Sequence, residues 1–159
     1  MNEVREIDAS EWETWRALRL RALRADPDAF ASTLASTLER EARDGEAYWR
    51  GYFTRPGPVL IAEVDRAAVG MARVVAEDGP AHLYSMWVAP EARGSGVGAH
   101  LITTGLDWLA AHHPGLSLRL EVVEANLPAR RLYERCRFTV VGPNPEDATE
   151  IVMEHVPDR

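Results

Sequence analysis

Three glycines fall within five positions of the stretch VAPEARGSGVGAHL (Val88 to Leu101), at Gly94, Gly96 and Gly98, between an apolar run and a helical pattern. A glycine inside an ordered element costs roughly 0.5 to 1 kcal/mol relative to alanine. A cluster of them marks a backbone that turns tightly or is closely approached. When a strand passes into a helix through glycines, the first helical amides stay unpaired at the positive end of the helix dipole. Such amides bind anions, and each hydrogen bond to a charged group contributes about 1.5 to 3 kcal/mol. Three or four of these bonds outweigh the cost of the glycines.

The residues exclude two common phosphate motifs. A P-loop needs a lysine after its second glycine, and all eighteen basic residues of this chain are arginine. The dinucleotide fingerprint G-x-G-x-x-G differs from the G-x-G-x-G spacing here, and the segments ahead of it read as a hairpin, not a βαβ unit.

A length of 159 residues predicts one domain, 1–159, around a single core. With 46% hydrophobic and 27% charged residues, the composition is that of a soluble globular protein. No stretch is apolar enough to span a bilayer, and MNEVREIDASEW lacks the apolar core of a signal peptide. The expectation is a cytoplasmic protein with no membrane partner. A net charge of −7 argues against nucleic acid. Cys136 is the only cysteine, so no internal disulfide can form, and no metal-ligand spacing is present.

Coarse patterning begins with a short strand, Val4 to Ile7. Ser10 to Glu13 has the form of a capping box. A helix through Trp12, Trp15, Leu18 and Ala22 then ends at Asp26-Pro27. Residues 31–54 read as irregular or helical, with a short helix around Glu46 to Phe53. Val59 to Val64 and Ala67 to Val75 form a hairpin over Asp65-Arg66, and Leu83 to Val88 is the next strand. After the glycines comes a helix, Val97 to His112. The strand Leu116 to Val123 places Leu118, Leu120 and Val122 on one face and Ser117, Arg119 and Glu121 on the other. A helix from Pro128 to about Arg135 and strands at Phe138 to Val141 and Glu150 to Val156 complete the chain. This order predicts an α/β (α+β) fold, a mixed and mostly antiparallel sheet of about six or seven strands flanked by about four helices.

Arg93-Gly94-Ser95-Gly96-Val97-Gly98 fits the pattern R-x-x-G-x-G, and with SMWVAPEA ahead of it the stretch resembles the acetyl-CoA loop of the GNAT-type N-acetyltransferases. LEVVEANLPARRLYERCRF (Leu120 to Phe138) is similar to the family's following segment through Asn126, Ala129, Leu132-Tyr133 and Phe138. The resemblance implies the GNAT fold and acetyl-CoA (CoA) as co-substrate. In it, the amides of Gly94, Ser95, Gly96, Val97, Gly98 and Ala99 hold the pyrophosphate. The main chain of Met86, Trp87 and Val88 pairs with the pantetheine arm, and Arg93 assists at the phosphates. Asn126 bonds the cofactor, although the same residue type also suits a cap for the helix at Pro128.

By the same resemblance Tyr133 is the general acid and Glu121 the general base, with Glu39, Glu41 and Glu124 as rival carboxylates. The implied reaction is direct acetyl transfer to a primary amine: a peptide N-terminus, a polyamine, an amino sugar or another small amine. The acidic positions suggest a cationic acceptor. The alternative is a sensor module that holds acetyl-CoA without chemistry. Cys136 has no activating partner in the sequence. Homodimers are frequent in the family, and no residue here decides the matter. Arg137 stands where the family has glycine before the closing Phe138, so the turn there is expected to be built differently.

Overall fold

The computed structural model describes residues 2–158. Its strands are β1 (Asn2–Ile7), β2 (Val59–Val64), β3 (Ala67–Val75), β4 (Ala81–Val88), β5 (Leu118–Val123), β6 (Thr139–Asn144) and β7 (Asp147–His155). They join in one seven-stranded sheet in the order β1-β2-β3-β4-β5-β7-β6. All neighbours are antiparallel except β4 and β5. The helices are α1 (Trp12–Ala25), α2 (Leu34–Asp44), α3 (Glu46–Arg50), α4 (Val97–His112) and α5 (Leu127–Arg135), one more than expected. No described helix is long and apolar enough to cross a membrane.

Local chemistry explains most of these boundaries. Asp65 and Arg66 both have positive φ, 49° and 69°, as the two-residue turn that matches strand twist requires. Glycine is absent there, so the β2–β3 pairing must hold the strained turn. Gly105 lets α4 lie close on the sheet, since a Cβ there would stand 3.0 Å from Val74 Cγ2. Side chains alternate along β3. Val74 therefore faces α4 while Arg73 faces the opposite side, where it meets Tyr52 just beyond α3.

Two expectations are corrected. Ser10 to Glu13 forms no capping box: a 3-10 turn, Ala9–Glu11, precedes α1, and the Asp8 carboxylate accepts from the Ser10 amide at 2.8 Å. A charged acceptor two residues upstream takes the amide, so Ser10 lies inside the turn and not at its cap. The reciprocal box forms instead at Thr33, whose hydroxyl accepts from Ser36 N at 3.0 Å while Ser36 Oγ accepts from Thr33 N at 3.2 Å. It starts α2.

The turn after α5 is the second correction. Phe138 N donates to Tyr133 O and Arg137 N to Glu134 O, both at 3.0 Å, which is the Schellman pattern. Arg137 takes the left-handed position at φ 69°, and Phe138 closes edge-on over Tyr133 with ring centroids 5.9 Å apart. The usual turn thus forms with arginine accepting the strain, because two main-chain bonds and a buried aromatic contact outweigh a steric penalty of roughly 1 to 2 kcal/mol. The Arg137 guanidinium gains only a weak pairing with Asp158 at 3.6 Å, both side chains being open to water. Arg137→Gly is expected to raise stability by about 1 kcal/mol in urea denaturation. An unchanged or lower midpoint would contradict the strain.

Candidate active site

β4 and β5 pair only at Ala81 with Leu118 and His82 with Arg119. Beyond that point Ser85 has φ 58° and the β3–β4 register shifts, a bulge that bends β4 away from its parallel neighbour. The sheet splits. Ala89 N donates to Val69 O at 2.7 Å, and by the alternation of an antiparallel ladder the main chain of Trp87 turns toward Met71, its register partner. The main chains of Met86 and Val88 then border the gap. Of the three strand residues expected there, Trp87 has its polar groups inside the sheet, and the Val88 carbonyl already accepts from Arg93 Nε at 2.9 Å.

The glycines beyond β4 have separate reasons. Gly94 and Gly96 lie at φ 78° and 86° with open space where a Cβ would be, so backbone conformation requires them. Gly98 serves packing: a Cβ there would lie 2.9 Å from Leu132 Cδ2 on α5. Gly96 occupies the N-cap of α4 and makes no side-chain cap. Among the described residues, the amides of Gly94 to Ala99 find no acceptor. Ser95 Oγ donates to Ala92 O at 2.5 Å and secures the turn.

Arg93 is anchored. Its Nη2 lies 2.6 Å from Asp26 Oδ2, which also accepts from the Trp87 indole at 2.8 Å. Burial of Asp26 favours its neutral form, but the bonds from Trp87 and Arg93 prevail and hold the carboxyl below its ordinary range. The loop is thereby tied to the end of α1.

A cavity of about 600 Å³ opens beside the gap, and Ser85, Met86, Glu121, Asn126 and Tyr133 reach it. Tyr133 is buried, and desolvation pushes its phenol well above the ordinary value. Asn126 Oδ1 accepts from Ala129 N at 3.3 Å, so it caps α5 and borders the cavity as well. Glu121 lies on the half-exposed face of β5, 3.7 Å from His82 Nε2. Glu39, Glu41 and Glu124 do not line the cavity, and Glu41 is bound to Arg16 at 2.5 Å. The Cys136 thiol is raised by burial.

The far wall was not expected from the sequence. Arg19, Arg73, Tyr48, Tyr52 and Tyr84 line it. The guanidinium of Arg73 sits 4.8 Å from the centre of the Tyr52 ring and 5.1 Å from that of Tyr84, and desolvation lowers its pKa. Arg19 is only 6% exposed and lies 4.5 Å over Phe30. Cation–π contact contributes about 0.5 to 2 kcal/mol, against several kcal/mol to bury an unpaired ion. The wall is under-compensated. The signal was present in the sequence: Arg19 interrupts the apolar stripe of α1 formed by Trp15, Leu18, Ala22 and Leu23, and Arg73 interrupts the apolar run of β3.

Residues 5–138 match the model of the Acetyltransferase (GNAT) family. The chain belongs to this family. It is 30% identical over 131 residues to mycothiol acetyltransferase of Clavibacter michiganensis subsp. michiganensis, a match spanning 82% of this chain and 40% of that protein. The chain thus spans about two fifths of the length of such relatives. In fold it is similar to a GNAT-family acetyltransferase of Streptococcus pneumoniae, with TM-score 0.78 and 16% identity over 99% of this chain and 100% of that one. PaiA N-acetyltransferase of Thermoplasma acidophilum, determined with coenzyme A, has the same TM-score, 0.78, at 16% identity over 99% of each chain. At these identities the structures speak for the GNAT fold alone.

Asp26→Asn removes the charge that Arg93 meets and weakens the bond from Trp87. It is expected to cost about 1 to 2 kcal/mol in urea denaturation, low in the range for charged hydrogen bonds because the pair is partly exposed. An unmoved midpoint would show that the tie contributes nothing.

Proposed function

We propose that this chain is an acetyl-CoA-dependent N-acetyltransferase that moves an acetyl group to a primary amine by direct attack. One observation carries the reading: a row of unpaired amides, Gly94 to Ala99, continues a strand edge left open at Met86 and at the Val88 amide and leads to a cavity holding Glu121 and Tyr133. Family membership supports it, as does the coenzyme A complex of the similar Thermoplasma acidophilum protein. The amides fit a diphosphate because they need acceptors, and the free edge fits an amide-bearing arm that adds like a strand. Acetyl-CoA, when bound, supplies an activated acyl thioester.

The chain's own groups manage the protons. An alkyl amine is mostly protonated near neutral pH, and Glu121 is the only sequence-proposed carboxylate on the cavity wall, placed to take that proton directly or through water. Tyr133, kept neutral by burial, holds a proton on its hydroxyl for the departing sulfur. Burial keeps Cys136 a thiol, which weakens it as a nucleophile and favours transfer without an acetyl-enzyme. The relatives named mycothiol acetyltransferase make a mycothiol-related compound one acceptor to try.

Tyr133→Phe is expected to lower kcat by about 10² to 10⁴ while the coenzyme dissociation constant stays within a few fold. Unchanged kcat would remove Tyr133 from the chemistry. Cys136→Ala should keep most turnover, and abolition would point to a covalent route. Release of free thiol across a panel of amines tests the reaction itself. Coenzyme binding with no thiol released by any amine would favour the sensor alternative.

A further inference from the structure

We propose that the acceptor amine carries its own oxyanion, a carboxylate, phosphate or phosphonate, which Arg19 and Arg73 receive at the far wall of the cavity. This rests on the transferase reading above and narrows its substrate class, replacing the cationic acceptor expected from the acidic residues. Arg19 is 6% exposed, lines the cavity, and has neither Nε nor Nη1 bonded among the described residues. Arg73 Nε is likewise buried without a partner, and its guanidinium has only the Tyr52 and Tyr84 rings, 4.8 and 5.1 Å away, in cation–π contact. Burial and the neighbouring guanidinium groups disfavour the charge on Arg73, and two buried, unpaired guanidinium groups in one cavity need an anion that the protein does not supply.

The remaining charged groups locate that anion. Arg55 is satisfied by Glu77, with bonds of 3.0 and 3.1 Å, and Arg40 on the rim is exposed. The carboxylates on the wall, Glu121, Glu146 and Glu150, come from β5 and the β6–β7 hairpin, whereas Arg19 and Arg73 come from α1 and β3. Glu150 is bonded to Asn144 at 3.0 Å. None of the three pairs with Arg19 or Arg73. The cavity therefore draws its carboxylates from β5 and the β6–β7 hairpin and its unpaired guanidinium groups from other elements, α1 and β3. A ligand with an amine at one end and an oxyanion at the other matches both, and the planar forks of arginine suit a carboxylate or phosphonate held by paired bonds.

The test measures thiol release, at saturating acetyl-CoA, on matched acceptors: amino acids against their carboxamides, and aminoalkylphosphonates against aminoalkanes. The oxyanion-bearing member of a pair is expected to have at least tenfold higher kcat/KM, and the better pair tells carboxylate from phosphonate. Arg73→Gln and Arg19→Gln should each erase most of that preference through KM, while the coenzyme dissociation constant stays within a few fold and shows that the variant is folded. Equal rates within the pairs, or variants that slow both members alike, would overturn the proposal. If coenzyme binds but no amine releases thiol, the transferase reading fails by itself. Succinate and methylphosphonate then decide the anion site: a rise in Tm of the coenzyme-bound protein that Arg73→Gln abolishes upholds it, and no rise overturns it.

Discussion

β4 and β5 hydrogen-bond at only two register positions and then diverge, and the functional part of the molecule follows from that divergence. A parallel pair that stayed zipped would satisfy the main chains of Met86 and Val88 and leave no gap between the strands. The bulge at Ser85, with φ 58°, turns β4 outward while its ladder to β3 continues, so one edge of the strand remains paired as the other opens. Gly94 and Gly96 then turn the chain into α4 with its first amides unpaired. Open edge and unpaired amides are successive parts of one stretch of backbone, so a long ligand with an anionic end can lie along both.

The charged residues divide the cavity that this split creates. The chain carries a net charge of −7, yet the wall built from α1 and β3 is cationic and buried. Overall charge governs long-range attraction, whereas burial makes local charge strong. Arg19 and Arg73 sit at positions that the apolar patterns of α1 and β3 assign to hydrophobic side chains. Breaks of local pattern without internal compensation are expected at functional sites. Asp26 is a contrasting case: its charge is met by Trp87 and Arg93, and its part is to tie the glycine turn to the first helix.

Much of the fold is legible in the sequence because local signals agree with tertiary packing. The helix Val97–His112 and the hairpin Val59–Val64 with Ala67–Val75 stand where glycine punctuation and β-rich runs place them. The alternation of β5, with Leu118, Leu120 and Val122 buried, follows from its period of two. The start of α1 is less legible, since Asp8 and Ser10 both suit a cap and only the path of the chain out of β1 selects Asp8. Arg137 misleads by composition: its backbone conformation is set by Tyr133, Glu134 and Phe138 around it. In the site, Gly98 reads as part of an anion loop although Leu132 explains its missing side chain. Which carboxylates reach the cavity depends on how α2 and the β6–β7 hairpin sit against the sheet, and a linear pattern does not carry that.

The most direct measurement is isothermal titration of coenzyme A into the native chain and into Gly96→Ala, with a melting curve of each free protein as the folding control. Measurable heat is expected for the native chain, with affinity at least tenfold weaker in the variant, where a side chain opposes the left-handed turn that aims the amides of α4. No association with the native chain, or equal affinity in a folded variant, would contradict the assignment of the glycine turn to a coenzyme diphosphate.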